Sequence, residues 1–441
     1  MTRNIPTQQP RSVIENEEHI TIHTDNLFDP KRKAFLNNIS ITVSQKSGNI
    51  VKVFERKDEP TALSPTDIDL RGRTILPGLV DAHTHIFLHA YSETPSINQE
   101  RDESIIERTI RATNHCRAAL LAGYTTYRDL GTESAQDADV HVRNAVNRCI
   151  IPGPRIFCAT EALASSAGYD IRIESGINGV RLPRLSDPCD GVVGVKAGVR
   201  RRLGAGADVI KFYASYGKRA LRFPPPVHPG GRDILHPPDT IPRNPDHLQF
   251  DQEEMNAIVV EARLARAPVA AHAQSAESAI MAAKAGVTTI EHGVEESDEA
   301  IAMMKQNGTI FVPTLAVQEL FRPKSEVFVQ TKKAYAAGIK LACGGDTGAF
   351  AHGENVRELE LMLEAGVPLE EVFVAATVHG WAACGKEWCG RRFGWWEEGC
   401  AADIIALEGD VRKNSGSLRK VDFVMKDAKV WKQNGKAVGM I

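Results

Sequence analysis

The chain has 441 residues, of which 42% are hydrophobic and 25% are charged, as in ordinary globular proteins. Its 53 lysines and arginines against 56 aspartates and glutamates give a net charge of -3, which argues against binding to nucleic acid or to an anionic membrane surface. No apolar run approaches the ~18 residues of a membrane span. The eight cysteines form no C-x-x-C pair, and residues 1–18 lack the apolar stretch of a secretory signal, so we expect a cytoplasmic location.

Short strands with alternating polar and apolar residues are predicted at both ends of the chain. The alternation is found at residues 20–24, 39–43, 49–54, 402–407 and 421–425. We therefore predict a small β-sandwich domain formed by residues 18–76 together with residues 398–441. This composite domain would enclose a central domain of residues 77–397.

Strand-like and helix-like segments alternate through the central domain. The predicted strands are residues 74–85, 124–129, 155–159, 208–213, 268–272, 288–292, 309–313 and 340–346. Good helix formers occupy residues 103–122, 252–266, 276–285 and 298–307, and Gly123, Gly286, Gly308 and Gly338 stand where helix C-caps are expected. The pattern predicts an α/β fold, a (β/α)8 TIM barrel with its functional groups at the carboxyl ends of the strands.

Residues 217–250 interrupt this alternation. They contain Pro224-Pro225-Pro226, Gly230-Gly231 and Pro237-Pro238, which exclude a helix or a central strand. Because the segment follows the fourth predicted strand, we expect it over the barrel mouth as a lid-like insertion. A surface excursion or an oligomer contact is the alternative.

Titratable residues fall at the ends of the predicted strands. They are His83 and His85 in the first strand, Lys211 in the fourth, His272 in the fifth, His292 in the sixth and Asp346 in the eighth. Each alone has an ordinary explanation as a packed or surface residue. Together at one barrel mouth, four imidazoles and a carboxylate form a ligand set for one or two transition-metal ions. A buried Lys211 is costly unless it is neutral, paired or modified.

The residues Pro77-Gly78-Leu79-Val80-Asp81-Ala82-His83-Thr84-His85 resemble the opening motif of the amidohydrolase superfamily. The resemblance continues through residues 210–211, 271–273, 290–293, 345–347 and 399–404. Residues 249–254 and 282–287 are similar to the imidazolonepropionase-like and prolidase-like branch, which includes fungal amidases that cleave amide-linked amino acids.

This resemblance implies a binuclear site for two divalent metal ions. Imidazole and carboxylate ligands suit Zn²⁺, and manganese, cobalt or iron is compatible with them. His83, His85 and Asp346 would bind one ion and His272 and His292 the other, with a CO₂-carboxylated Lys211 between them. A hydroxide bridging both ions would be the nucleophile. Asp346 would carry its proton to the leaving amine, so we expect Asp346, Lys211 and His272 to be the catalytic residues.

The chain departs from the branch after the third strand. Ala167-Gly168-Tyr169-Asp170 stands where the branch has Gly-His-Gly, whose histidine contacts the substrate. Tyr169 can donate a hydrogen bond but cannot carry a positive charge. We expect Tyr169, Tyr213 and His352 to bind the substrate. His228 and His236 of the insertion, or His352, are the next candidates for proton transfer.

The predicted activity is hydrolysis of an amide or peptide-like bond in a small molecule, such as an N-acyl amino acid or a dipeptide, by a homo-oligomer. The same ligands would serve a lactone, an ester or a cyclic amide equally well. A single-metal decarboxylase and a catalytically silent scaffold are alternatives from other classes. The complete ligand set argues against the scaffold.

Overall fold

The structure of the chain is a computed structural model. It describes residues 19–58, 63–166, 168–173, 177, 180–181, 184–216, 220–223, 247–293, 295 and 297–439. His228, His236 and most of the predicted lid-like insertion lie outside the described residues, so their predicted roles remain predictions.

The strands of the first half of the chain are β1 (His19–His23), β2 (Leu27–Asp29), β3 (Ala34–Leu36), β4 (Ile39–Ser44), β5 (Asn49–Glu55), β6 (Ile68–Asp69), β7 (Arg73–Pro77), β8 (Leu79–Thr84), β9 (Tyr124–Asp129), β10 (Arg155–Cys158), β11 (Ala162–Ala164), β12 (Asp170–Ile173), β13 (Val180–Arg181), β14 (Ser186–Pro188), β15 (Ile210–Tyr213) and β16 (Ser215–Tyr216). Those of the second half are β17 (Ala220–Phe223), β18 (His247–Leu248), β19 (Val269–Ala273), β20 (Thr289–His292), β21 (Ile310–Val312), β22 (Ile404–Glu408), β23 (Val421–Lys426), β24 (Lys429–Gln433) and β25 (Lys436–Ala437).

The helices are α1 (Ser96–Asp102), α2 (Ile105–Leu121), α3 (Ala138–Asn147), α4 (Gly191–Ala205), α5 (Gln252–Leu264), α6 (Ala276–Ala285), α7 (Asp298–Asn307), α8 (Leu315–Gln318), α9 (Lys324–Ala336), α10 (Val356–Glu364), α11 (Leu369–Ala375) and α12 (Val378–Ala383). Two short 3₁₀ helices cover Lys386–Cys389 and Ser415–Arg419.

Strands from both ends of the chain share one sheet. Its order is β25-β24-β23-β22-β7-β2-β3, and β22 pairs antiparallel with β7. A second sheet has the order β5-β4-β1-β6. Ile41 of the second sheet and Ile75 and Phe423 of the first are buried in one apolar cluster. Strands from the two ends of the chain therefore pair in one sheet.

Parallel strands follow one another through the centre of the chain. The sheet β10-β9-β8 is parallel, and so is the run β14-β11-β15-β19-β20-β21. Helices separate most of these strands, which confirms an α/β fold. The predicted third strand is observed as β10. A further short strand, β11, begins after three intervening residues, and the sequence pattern does not predict it.

The predicted eighth strand, residues 340–346, is not a regular strand. Leu341 forms an isolated parallel bridge with β21, and Thr347 forms another with β8. Asp346 has a φ of 62°, which an extended strand does not allow. A Cβ at Gly344 would lie 2.8 Å from the backbone nitrogen of His83, so only glycine permits this close approach.

Serine N-caps and glycine C-caps set the ends of two helices near the centre of the chain. The Ser275 and Ser297 side chains accept hydrogen bonds from the third residues of α6 and α7. Gly286 and Gly308 end these helices in the left-handed conformation. Both helices cover the predicted residues. Among the helices that the structure describes, none is long and apolar enough to cross a membrane.

Candidate metal centre

Six residues predicted from the sequence as metal ligands line one cavity of about 80 Å³. They are His83, His85, Lys211, His272, His292 and Asp346. His83 lies in β8 and His85 just beyond it, and Lys211, His272 and His292 lie in β15, β19 and β20. Asp346 follows the irregular residues 340–345. The topology therefore brings together groups that are up to 263 positions apart in the sequence.

The ring nitrogens of His83 and His85 converge on Asp346. Asp346 Oδ1 lies 3.2 Å from His85 Nε2 and 3.6 Å from His83 Nε2. His85 Nδ1 donates to the Gly131 carbonyl at 2.8 Å, and His83 Nδ1 donates to Glu291 Oε2 at 2.8 Å. These bonds hold a ring proton on each Nδ1 and turn both Nε2 atoms towards Asp346, as outer partners do for metal-binding histidines.

Glu291, which bonds His83, is itself held by Arg128. Arg128 donates to Glu291 Oε1 at 2.8 Å, and both side chains are fully buried. Arg128 also donates to the Ala82 carbonyl at 2.6 Å and to Thr289 Oγ1 at 2.8 Å. Each carboxylate oxygen of Glu291 thus has its own partner, which is what a buried ion pair requires.

His272 and His292 form the other side of the centre. Their rings meet edge to face with centroids 4.3 Å apart, and the His292 ring lies 5.0 Å from that of His83. His292 Nδ1 is hydrogen-bonded to Thr314 Oγ1 at 2.9 Å. His272 Nε2 is buried and has no hydrogen-bond partner among the described residues. A buried nitrogen without a partner is costly, and a divalent metal ion would satisfy it, so the residues fit such an ion.

Lys211 is buried in β15, with 2% of its surface exposed. Burial lowers the pKa of its amine to about 8. The environment therefore disfavours the ammonium form, although the charges of Glu291 and Asp346 act in the opposite direction.

Burial also keeps three of the imidazoles neutral. It lowers the pKa values of His83 and His272 well below their usual range and the pKa of His292 to about 4. Burial has the same effect on His85, but the hydrogen bond and charge of Asp346 outweigh it and raise the pKa of His85 to about 9. A metal ion bound there would displace that proton, because a ligating imidazole must be unprotonated.

Three residues that line the cavity have unusual backbone conformations. His292, Asp346 and Glu133 have φ values of 72°, 62° and 47°, which residues other than glycine rarely adopt. Such conformations persist only where surrounding contacts fix them, and they are common at functional sites.

The wall beside the histidines is aromatic and acidic. Tyr91, Tyr169, Tyr213, Tyr216 and Glu133 line it, together with Leu88. The Tyr169 hydroxyl donates to Glu133 Oε2 at 2.8 Å, and the Tyr213 hydroxyl donates to Glu133 Oε1 at 3.4 Å. The predicted substrate-binding residues Tyr169 and Tyr213 thus lie in the cavity, with their hydroxyl protons directed to Glu133.

His352, predicted to bind the substrate, lies outside the residues that line the cavity. Its ring stacks on His115 with centroids 4.2 Å apart, and its Nε2 lies 3.3 Å and 3.2 Å from the carbonyl oxygens of His85 and Leu88. Its place in the pocket must therefore be corrected. His352 instead packs on His115 and against the segment that follows β8.

Asn355, three residues further along, joins two parts of the centre. Its Nδ2 donates to Asp81 Oδ2 at 2.7 Å and lies 3.1 Å from Thr347 Oγ1, which itself donates to Asp81 at 2.7 Å. Asp81 and Thr347 are neighbours of the metal-ligand candidates His83 and Asp346 in sequence. This buried network fixes β8 relative to the segment that contains Thr347.

Sequence reasoning missed Glu133, Glu291 and Arg128. Glu133 follows the carboxyl end of β9, so the same strand-end rule that selected His272 would have pointed to it. Glu291 and Arg128 are charged residues inside fully buried strands, which is itself an unusual pattern.

Comparison with known proteins shows which family the chain resembles. The amidohydrolase family profile matches residues 74–438. An ochratoxinase from Aspergillus niger is 29% identical over 461 aligned positions, which cover 95% of this chain and 88% of that protein. The crystal structure of A. niger ochratoxinase superimposes with a TM-score of 0.76 at 24% identity, covering 97% of this chain and 99% of that one.

The chain is also similar to a dipeptidase and to an imidazolonepropionase. A crystal structure of a Xaa-Pro dipeptidase with methionine bound in its active site has a TM-score of 0.77 at 29% identity, covering 94% of this chain and all of that one. An imidazolonepropionase from Porphyromonas gingivalis is 23% identical over 371 aligned positions, 78% of this chain and 76% of that protein. The resemblance to these branches seen in the sequence motifs is thereby confirmed.

Proposed function

The chain belongs to the amidohydrolase family and is a hydrolase acting on carbon–nitrogen bonds; from this we propose that it uses two divalent metal ions, most simply Zn²⁺, to cleave an amide or peptide-like bond of a small molecule. The dipeptidase among its relatives favours an N-acyl amino acid or a dipeptide as the substrate class.

The observation that carries it is the convergence of four imidazoles, Asp346 and Lys211 on one cavity. The unpartnered His272 Nε2 and the mutual approach of His83, His85 and Asp346 within 4.8 Å support a metal-binding role. When bound, the ions would polarise the substrate carbonyl and make water a stronger acid. His83, His85 and Asp346 would hold one ion, and His272 and His292 the other.

Asp346 is proposed to move the proton. Its carboxylate accepts hydrogen bonds on the cavity side, and the neighbouring His83 and His85 hold its pKa below the usual range despite burial. Asp346 would take a proton from the attacking water and deliver it to the nitrogen of the leaving amine, which makes the amine a better leaving group. The tyrosine wall would orient the substrate and exclude bulk water.

Lys211 is proposed to be carboxylated. An amine buried to 98% gains from conversion to a carbamate, because two oxygens can then serve two metal ions while the ammonium would repel them. Intact-mass and peptide mass spectrometry of gently handled protein should find a mass increase of about one CO₂ at this residue. An unmodified Lys211 in metal-loaded protein would contradict this part of the proposal.

We also propose that the parallel strands close into one (β/α)8 barrel of residues 77–397, with the terminal strands as a composite β-sandwich. The hydrogen bonds of residues 341–347 to both β21 and β8 support the closure.

The free cysteines support the cytoplasmic location. The exposed Ile105, Ile106 and Ile110 of α2 support a homo-oligomer, which sedimentation would test.

The test of the proposed function is a hydrolysis screen of purified protein of known metal content. The substrates are N-acyl amino acids, dipeptides and, as the alternative classes, lactones and cyclic amides. We expect turnover of amides that rises with metal occupancy, and incorporation of ¹⁸O from labelled water into the released carboxylate. Turnover of lactones alone, or loss of CO₂ without ¹⁸O incorporation, would overturn the proposal.

A further inference from the structure

Glu133 is the second carboxylate that lines the cavity, after Asp346, and neighbouring residues fix its position. It is 4% exposed, and its Oε1 lies 3.6 Å from His85 Nδ1. Arg108, on α2, donates from its guanidinium to the carbonyl oxygens of Thr132 and Glu133 and to Ser134 Oγ, and so fixes the strained backbone. A Cβ at Gly131 would lie 3.2 Å from Glu133 Oε1, so the absence of a side chain there leaves room for the carboxylate.

Two phenols enlarge this acidic group. Tyr169 and Tyr213 each have a single hydroxyl proton, and both protons are donated to Glu133. Their oxygens can then only accept further hydrogen bonds. Their rings and that of Tyr216 contact one another, with centroids 4.6 to 5.5 Å apart. This part of the cavity therefore offers acceptors, a negative charge and aromatic faces.

A second buried carboxyl group, Glu100, belongs to the same region. Neither of its oxygens has a hydrogen-bond partner in the described part of the chain. Burial, and then the charge of Glu133, raises the pKa of Glu100 well above its usual range. Among the described lining residues there is no arginine, and Lys211 is the lone lysine.

Resting on the proposed function, we infer that Glu133, with Tyr169 and Tyr213, forms a subsite for a protonated amine of the substrate. An ammonium group donates three hydrogen bonds and is attracted to aromatic faces, so it matches each property of this wall. Tyr213 and Tyr216 contact His272, with ring centroids 4.9 and 5.4 Å apart, so the subsite adjoins the centre where the bond is cleaved. The favoured substrates are therefore small amides that carry a positively charged amine.

The amine has two possible sources, which matched substrates distinguish. L-Ala-L-Phe differs from propionyl-L-Phe by its α-ammonium group, and propionyl-L-Lys differs from propionyl-L-norleucine by its side-chain ammonium group. We expect the metal-loaded wild-type protein to prefer the charged member of at least one pair by roughly 10- to 100-fold in kcat/KM, the range of a charge-assisted hydrogen bond. The pair that shows the preference identifies the source.

The variant that tests the subsite is Glu133→Gln. It should reduce the preference to less than about threefold, because it slows the charged substrate more than the neutral one. Glu133→Asp keeps the charge and should keep part of the preference, which guards against a variant that fails to fold. Glu107→Gln on the exposed face of α2 removes one charge elsewhere and should leave the preference unchanged.

Two results would overturn the inference: a wild-type protein without preference in either pair, or a Glu133→Gln protein that retains the wild-type preference. If the metal-loaded protein cleaves none of the four compounds, the proposed function is the part in question. The same compounds are then titrated as ligands by calorimetry. Tighter binding of a charged member, lost in Glu133→Gln, would support the subsite independently, and equal binding within both pairs would refute it.

Discussion

At the scale of single residues, Asp346 combines two tasks that a substitution can separate. Asparagine preserves the shape and one oxygen but cannot take a proton. Because general acid–base catalysis contributes roughly 10²–10⁴-fold, Asp346→Asn should lower kcat by about that factor. Most of the metal should remain, since five of the six proposed ligands are unchanged. Steady-state kinetics with parallel metal analysis measures both effects.

The comparison for Asp346→Asn is His272→Ala, which removes an imidazole that has no hydrogen-bonding role within the described residues. This variant should lose metal as well as activity. Near-normal kcat in fully metal-loaded Asp346→Asn protein would exclude Asp346 as the proton carrier.

Glu291 acts on the metal centre through His83. Its Oε2 fixes the ring proton of His83, and its Oε1 receives Arg128. Losing such an outer partner typically weakens metal binding by about 10- to 100-fold. Glu291→Gln should therefore raise the dissociation constant of the ion held by His83 by that range, as measured by competition with a chelator of known affinity.

Glu358→Gln is the matched control for Glu291→Gln, because Glu358 is an equally buried carboxyl group that bonds the backbone of α8 instead of a histidine. It should leave the metal dissociation constant unchanged. Equal weakening in both variants would mean that the effect comes from general loss of stability.

At the scale of elements, Glu358 links α10 to the start of α8 and makes the link sensitive to pH. Its Oε2 accepts from the Ala316 backbone nitrogen at 2.8 Å, and burial raises its pKa to about 8 from an ordinary value of 4.5. Between these values the folded protein binds more protons at Glu358 than the unfolded chain does. The contribution of this group to stability is therefore complete below about pH 4.5 and falls as the pH rises towards 8.

The expected result is a difference in unfolding free energy between wild type and Glu358→Gln that changes with pH. It should shift against the wild type between pH 5 and 8, by at most about 1.4 kcal/mol per pH unit. Urea unfolding at several pH values measures it. Glu354→Gln, at an exposed position just before α10, should follow the wild-type profile. A pH-independent difference would show that Glu358 does not titrate in this range.

The elements also show how far sequence reasoning extends. The helices α6 and α7 could be predicted to the residue, because serine caps and glycine C-caps act locally. The irregularity of residues 340–346 could not, because the approach of Gly344 to His83 is a contact between distant parts of the chain. Likewise β11 depends on pairing with β14 and β15.

At the scale of the whole molecule, the residues of the centre that could be predicted are those at the ends of recognisable strands. His83, His85, His272 and His292 stood out because imidazoles at strand ends have a chemical meaning before any contact is known. The aromatic wall was only partly foreseen: Tyr169 and Tyr213 were, but their shared partner Glu133 was not. His352 was misplaced because sequence proximity to a strand end does not fix the direction in which the following loop turns.

The proposed metal ions should stabilise the whole molecule as well as support its activity. A ligand that binds only the folded state adds RT ln(1 + [L]/Kd), about 2.7 kcal/mol at a hundredfold excess over Kd. Prolonged dialysis against a chelator should therefore abolish hydrolysis and lower the midpoint of thermal unfolding. Added Zn²⁺ should restore both.

The same experiment counts the ions. If His83, His85 and Asp346 form one site and His272 and His292 the other, activity and unfolding midpoint should rise together with metal until two equivalents are bound. His272→Ala should then bind about one equivalent and keep part of the stabilisation without full activity, because the first site retains its ligands. Full activity in metal-free protein would refute the metal centre altogether. Saturation of activity at one equivalent would leave His272 and His292 to act on the substrate instead.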